Sequence, residues 1–139
     1  MADHEKFREH FGCDRILHED DITAKTRSVE IPLKGSEPIE LTPDLLIIPV
    51  PGHTKGHTVL LYKSKFLFSG DHLAWSKTLN QLYAFRDACW YSWSALIESM
   101  RRLARYDFEW VLPGHGRRYH ADRDTMHQQM QKCLTLIEG

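Results

Sequence analysis

The chain has 139 residues, a formal net charge of −1, 42% hydrophobic residues and 27% charged residues. That length suffices for one compact domain with a real core, residues 1–139. The near-zero charge gives no electrostatic basis for a nucleic-acid or membrane partner, and no apolar run approaches the length of a membrane span. The opening MADHEKFREHFG is charged and amphipathic, unlike a secretory signal. Cys13, Cys89 and Cys133 are odd in number, widely spaced and without a C-x-x-C. They support neither a disulfide framework nor a cysteine zinc site, and a reducing, cytoplasmic setting is the simplest reading. The unusual count is nine histidines, the commonest metal-ligand residue.

In chain order, Phe7 and Phe11 recur four apart after Asp3, which predicts a short helix capped by Asp3 and stopped by Gly12. RILHED (15–20) reads as a short strand, and SVEIPL (28–33) alternates like a half-buried one. KGSEP (34–38) is a turn. LLIIPV (45–50) is a continuous apolar run. TVLLYK (58–63) and FLFSGD (66–71) flank a short link at Ser64–Lys65, which predicts an antiparallel hairpin. The next twenty residues, from His72 to Tyr91, show no clean period and read as a long functional loop. Trp93, Leu96, Ile97, Met100, Leu103 and Ala104 then form a helical stripe, with Arg101, Arg102 and Arg105 off it. EWVLPGHG (109–116) is a strand ending in Pro-Gly-His, and Met126, Met130, Cys133, Leu134 and Ile137 mark a last amphipathic helix.

Three stretches share one design: an apolar strand that stops at a small residue and then a metal-capable side chain. They end at His53, Asp71 and His115. A buried strand fixes its end firmly, and imidazole with carboxylate suits zinc, iron or manganese. Taken singly, a His after Pro-Gly is usually a turn residue and a Gly-Asp usually a turn or cap. Three in one chain, all at strand ends, point toward a metal site.

PGHTKGHT (51–58), FLFSGD (66–71) and VLPGHG (111–116), in that order, resemble the metallo-β-lactamase superfamily, especially its glyoxalase II-like hydrolase branch. The N-terminal DHEKFREHFGCDRILHEDD (3–21) is similar to the stretch that follows that family's H-x-H-x-D-H motif. The resemblance implies an α/β fold of the αββα sandwich type, two stacked sheets with helices outside. It implies that His53 serves the first metal position, that Asp71 bridges two positions, and that His115, Asp3 and His4 serve the second. Asp3 would also orient the nucleophile. His57 and His18 match supporting or structural positions, while His10, His72, His120 and His127 receive no role. Placement on the surface or just behind the ligands is expected for those four, with His72 and His120 within reach of the cavity. The H-x-H half of the motif is absent before Asp3, which leads to the expectation of an N-terminally truncated form lacking much of the first sheet. A sheet face left bare in that way favours a homodimer.

The activity implied is hydrolysis of a small ester, thioester or lactone by hydroxide formed on one or two zinc ions. Iron or manganese is the alternative ion, and iron-dependent oxidoreduction on the same fold is the second reading. A non-catalytic domain without metal is the third. The expected partner is a small-molecule substrate, with Arg117 and Arg118 placed to attract an anion or simply to form a solvated face. The aromatic stretch 79–93 is expected either to wall the substrate pocket or to form a satellite core. Cys89 lacks an activating neighbour and reads as a buried small residue.

Overall fold

The computed structural model describes residues 3–139, which fall in two compact units, the first ending at Gly35 and the second spanning Ser36–Gly139. In the first unit, helix α1 (His4–Phe11) is stopped by Gly12 as its sequence predicts. Asp3 does not cap it through its side chain, because its φ of 62° lies in the left-handed region and its carboxylate pairs with Lys6 at 3.1 Å instead. Strands β1 (Ile16–His18) and β2 (Ile31–Leu33) pair in parallel, so SVEIPL is extended only over its last three residues. His18 takes the structural role expected of it. It is 4% exposed, its Nε2 donates to the Gly35 carbonyl at 2.8 Å and its Nδ1 accepts the Asp20 N–H.

The second unit is built on a six-stranded mixed sheet. Its strands are β3 (Ile39–Thr42), β4 (Leu45–Pro49), β5 (Thr58–Tyr62), β6 (Phe66–Gly70), β9 (Trp110–Pro113) and β10 (Tyr119–His120), in the spatial order β10-β9-β6-β5-β4-β3. The β5–β6 hairpin forms as predicted, with Tyr62 opposite Phe66. Its turn centres one residue earlier than the sequence suggests, on Lys63 and Ser64, both at positive φ as a twisted two-residue hairpin turn requires. The long loop expected after Asp71 contains a second hairpin, β7 (Ala74–Ser76) with β8 (Gln81–Tyr83), and a 3-10 turn at Arg86–Ala88. Strands of three residues are too short to show a period, which is why the pattern looked irregular.

Helix α2 (Trp93–Leu103) begins where Ser92 Oγ accepts the Ala95 N–H, and α3 (Arg123–Glu138) where Asp122 accepts the Thr125 N–H. The apolar stripes of both helices join Val59, Leu61, Leu67 and Val111 of the sheet in one buried cluster. Alternate residues face the other way. There Tyr62, Phe66, Trp110 and His120 stack across four strands, and Phe68 is 44% exposed. Among the described residues, no helix is long and apolar enough to cross a membrane.

This topology gathers three loops at one end of the sheet. Strand β6 runs antiparallel to β5 and parallel to β9, so the residues after β6, after β9 and before β5 share an edge. The β6–β9 register slips between Phe68 and Gly70, a bulge immediately before Asp71. Bulges of this kind re-aim side chains at strand ends.

Candidate metal centre

His53, Asp71 and His115 occupy those three loops, and Asp71 lies between the two imidazoles. His53 Nε2 is 3.4 Å from Asp71 Oδ2, and His115 Nδ1 is 2.5 Å from Asp71 Oδ1. The convergence expected of strand ends is therefore present.

The loop carrying His53 is clamped through its carbonyl groups. Gly52 O accepts the Tyr91 and Ser92 N–H groups and the Cys89 thiol, His53 O accepts the Trp90 N–H, and Pro51 O accepts the Ser99 hydroxyl at 2.8 Å. Gly52 lies so close to α2 that a side chain there would meet Leu96 Cα at 2.7 Å. Segment 88–92 thus serves the site through its backbone. Sequence periodicity carries no trace of that role. Cys89 is half-buried, its thiol donates to the Gly52 carbonyl, and burial pushes its pKa up. The aromatic stretch divides in two: Tyr83, Phe85 and Trp93 are half-buried around the buried Leu82, whereas Trp90 is 73% and Tyr91 51% exposed.

The His53 tautomer follows from its second contact. Nδ1 lies 2.5 Å from the Ala88 carbonyl, which can only accept, so Nδ1 carries the proton. In the neutral ring, Nε2 then presents a lone pair 3.4 Å from a carboxylate oxygen. Two electron-rich atoms at that distance favour a cation between them. A histidine held by a backbone carbonyl through its other nitrogen is the usual arrangement of a metal ligand. The spacing fits as well, because zinc bonds of about 2.1 Å to N and O at a tetrahedral angle separate the two donors by about 3.4 Å.

The His115 pair is different. At 2.5 Å the nitrogen and oxygen are in direct hydrogen bond, too close for an ion between them. That contact raises the His115 pKa above the ordinary imidazole value, the hydrogen bond contributing most and the charge of Asp71 next. His115 is 80% exposed and has room to swing away. Among the described residues, no group of three or more His, Cys, Asp or Glu side chains stands as a closed cation cage. The geometry explains this: one imidazole is spaced for an ion and the other rests on the carboxylate.

Asp3 and His4 lie in the first unit and have partners there. Asp3 pairs with Lys6, and His4 Nδ1 accepts from the Arg15 guanidinium at 3.0 Å. Arg117 and Arg118 are exposed. His127 pairs with Asp107 at 2.8 Å on the surface, and His120 stacks on Trp110. Of the two placements expected for His72, on the surface or just behind the ligands, the structure shows the second. The side chain is fully buried, neither ring nitrogen has a hydrogen-bond partner among the described residues, and burial drives its pKa down to about 3, aided by His57, His53 and Arg102. The bulge that turns Asp71 toward the imidazoles sends its neighbour into the core.

No family model and no curated protein sequence matches the chain. Solved structures do. A B3 metallo-β-lactamase, BLEG-1, aligns over 96% of this chain and 69% of its own length, with TM-score 0.67 and 18% identity. ETHE1 from Myxococcus xanthus aligns over 100% and 63%, with TM-score 0.66 and 16% identity. A di-iron-bound form of TTHA1623 aligns over 86% and 65%, with TM-score 0.54 and 20% identity. The chain thus spans less than two thirds of two of these structures, and 35 to 40% of other matched members of the superfamily.

Proposed function

We propose that this chain, whose fold is the metallo-β-lactamase fold, binds a divalent transition metal at His53 and Asp71 and serves the hydrolysis of a small ester, thioester or lactone. The observation that carries the reading is the 3.4 Å gap between His53 Nε2 and Asp71 Oδ2, with the His53 proton fixed on the far side of the ring by Ala88. A bound zinc, manganese or iron ion supplies Lewis acidity, polarising a carbonyl and lowering the pKa of its water toward about 7.

The protein's own groups do the rest. Ala88 orients His53, and Asp71 offers one oxygen toward His53 and the other toward His115. His115 Nδ1 donates to Asp71 Oδ1, which raises its pKa, and His115 would be the imidazole that holds an ion at a second position beside Asp71. Exposed Trp90 and Tyr91, on the segment that clamps His53, offer apolar surface to a substrate. Three free thiols accord with a reducing cytoplasm.

The di-iron-bound state of TTHA1623 favours a second reading, an iron-dependent oxidoreductase, since this donor set accepts zinc and iron alike. Metal analysis of the purified chain, followed by a panel of thioesters, lactones and esters, separates the two. Bound zinc with turnover supports the hydrolase. Stoichiometric iron with oxygen uptake supports the oxidoreductase. No bound metal and no turnover on any substrate rejects both.

A further inference from the structure

We propose that His57 is a positioning residue for Asp71: its Nε2 accepts the Asp71 backbone N–H, and this contact aims the carboxylate that faces His53. The proposal rests on the metal-binding reading above and adds a residue through which the site is aligned.

Asp71 is the first residue past β6, where ladder pairing has ended. Its N–H therefore needs a partner from elsewhere, and His57 Nε2 lies 3.3 Å away. To accept, that nitrogen must keep its lone pair, so the His57 proton sits on Nδ1. The same ring reaches under Gly70. A Cβ there would meet His57 Cε1 at 2.9 Å and Nε2 at 3.0 Å, and the backbone φ of +53° is itself one that only glycine adopts freely. The sequence Ser-Gly-Asp is thereby accounted for: the glycine makes room for an imidazole, and the imidazole holds the next residue's amide.

His57 is in turn fixed by the loop that carries His53. Its carbonyl accepts the Val50 N–H at 2.8 Å, its N–H donates to Thr54 O, and its ring stands edge-on to His53 with centroids 5.3 Å apart. One side chain thus contacts both residues that flank the 3.4 Å gap. Outer partners of this kind typically change metal affinity about 10- to 100-fold when lost.

The test compares wild type with His57→Ala and His57→Gln, whose side-chain oxygen reaches roughly where Nε2 lies. Zinc affinity is measured by competition with a chromophoric chelator. Thermal unfolding of the metal-free proteins and the scalar coupling across the Asp71 N–H···N hydrogen bond are recorded alongside. We expect the coupling in wild type, zinc affinity about 10- to 100-fold lower in His57→Ala, and recovery of most of that loss in His57→Gln. Should His57→Ala fail to fold, His57→Asn, polar but too short to reach residue 71, carries the same expectation. Zinc affinity unchanged in the shortened variants, or equally weak in Ala and Gln, overturns the positioning role while leaving the metal site intact. Wild-type protein that shows the coupling but takes up no zinc overturns both.

Discussion

The two compact units are held by different forces. Residues 36–139 close over a continuous apolar cluster in which Leu67, Leu82, Met100, Leu103 and Val111 are fully buried. In residues 1–35, helix α1 buries none of its residues. That unit is tied by Glu30, which takes the Arg15 guanidinium at 2.9 and 3.0 Å, the Arg15 backbone N–H at 2.8 Å and Arg8 at 3.0 Å. An apolar hold is indifferent to pH, whereas an ionic hold is not. The histidines and the aspartate of the candidate metal centre belong to the apolar unit, so the site should outlast conditions that loosen the first.

Breaking the apolar hold should produce the largest effect. Leu67→Ala, in the middle of β6, should cost about 2–5 kcal/mol in denaturant unfolding, through lost transfer energy and a cavity. Gly52→Ala comes next. Its new Cβ would press on Leu96 of α2, an overpacking cost of about 1–3 kcal/mol, and zinc affinity should fall as His53 is displaced.

The ionic hold should fail first in acid. Glu30 is held down at about 2 from its usual 4.5, first by the Arg15 side-chain hydrogen bond and then by the Arg15 backbone N–H. A depressed carboxylate stabilises fully above its unfolded pKa and loses that contribution as pH falls from about 4.5 toward 2. Amide exchange at Arg15 and Ile31 should therefore accelerate through that window while the β5–β6 amides stay protected. Simultaneous loss in both units would erase the contrast. At the small end, His127→Ala on α3 removes a surface pair with Asp107, and it should shift neither unfolding nor metal content measurably.

The sequence discloses the strand-end design because His53, Asp71 and His115 each follow an apolar run long enough to read as a strand. The mixed pairing of β5, β6 and β9 then puts the three runs' ends on one edge. The helices are equally legible, since all five residues assigned to the last stripe are buried in α3. Short edge elements are not. Strands β3 and β10, and the β7–β8 hairpin, span two to four residues and owe their form to neighbours rather than to pattern. The contact between His57 and the Asp71 amide depends on two backbones meeting in space, and only the repeated histidine of PGHTKGH hints at it.

The reading depends on one cation held between His53 and Asp71, with His115 freed from the carboxylate toward a second position. Imidazole nitrogen spectra of histidine-labelled protein, recorded as zinc is added, test this most directly. His53 Nε2 should shift with the first equivalent of zinc and a ring nitrogen of His115 by the second, His18 and His127 should stay still, and Asp71→Ala should abolish both shifts. Zinc that leaves His53 unmoved, or that perturbs wild type and Asp71→Ala alike, would contradict that reading.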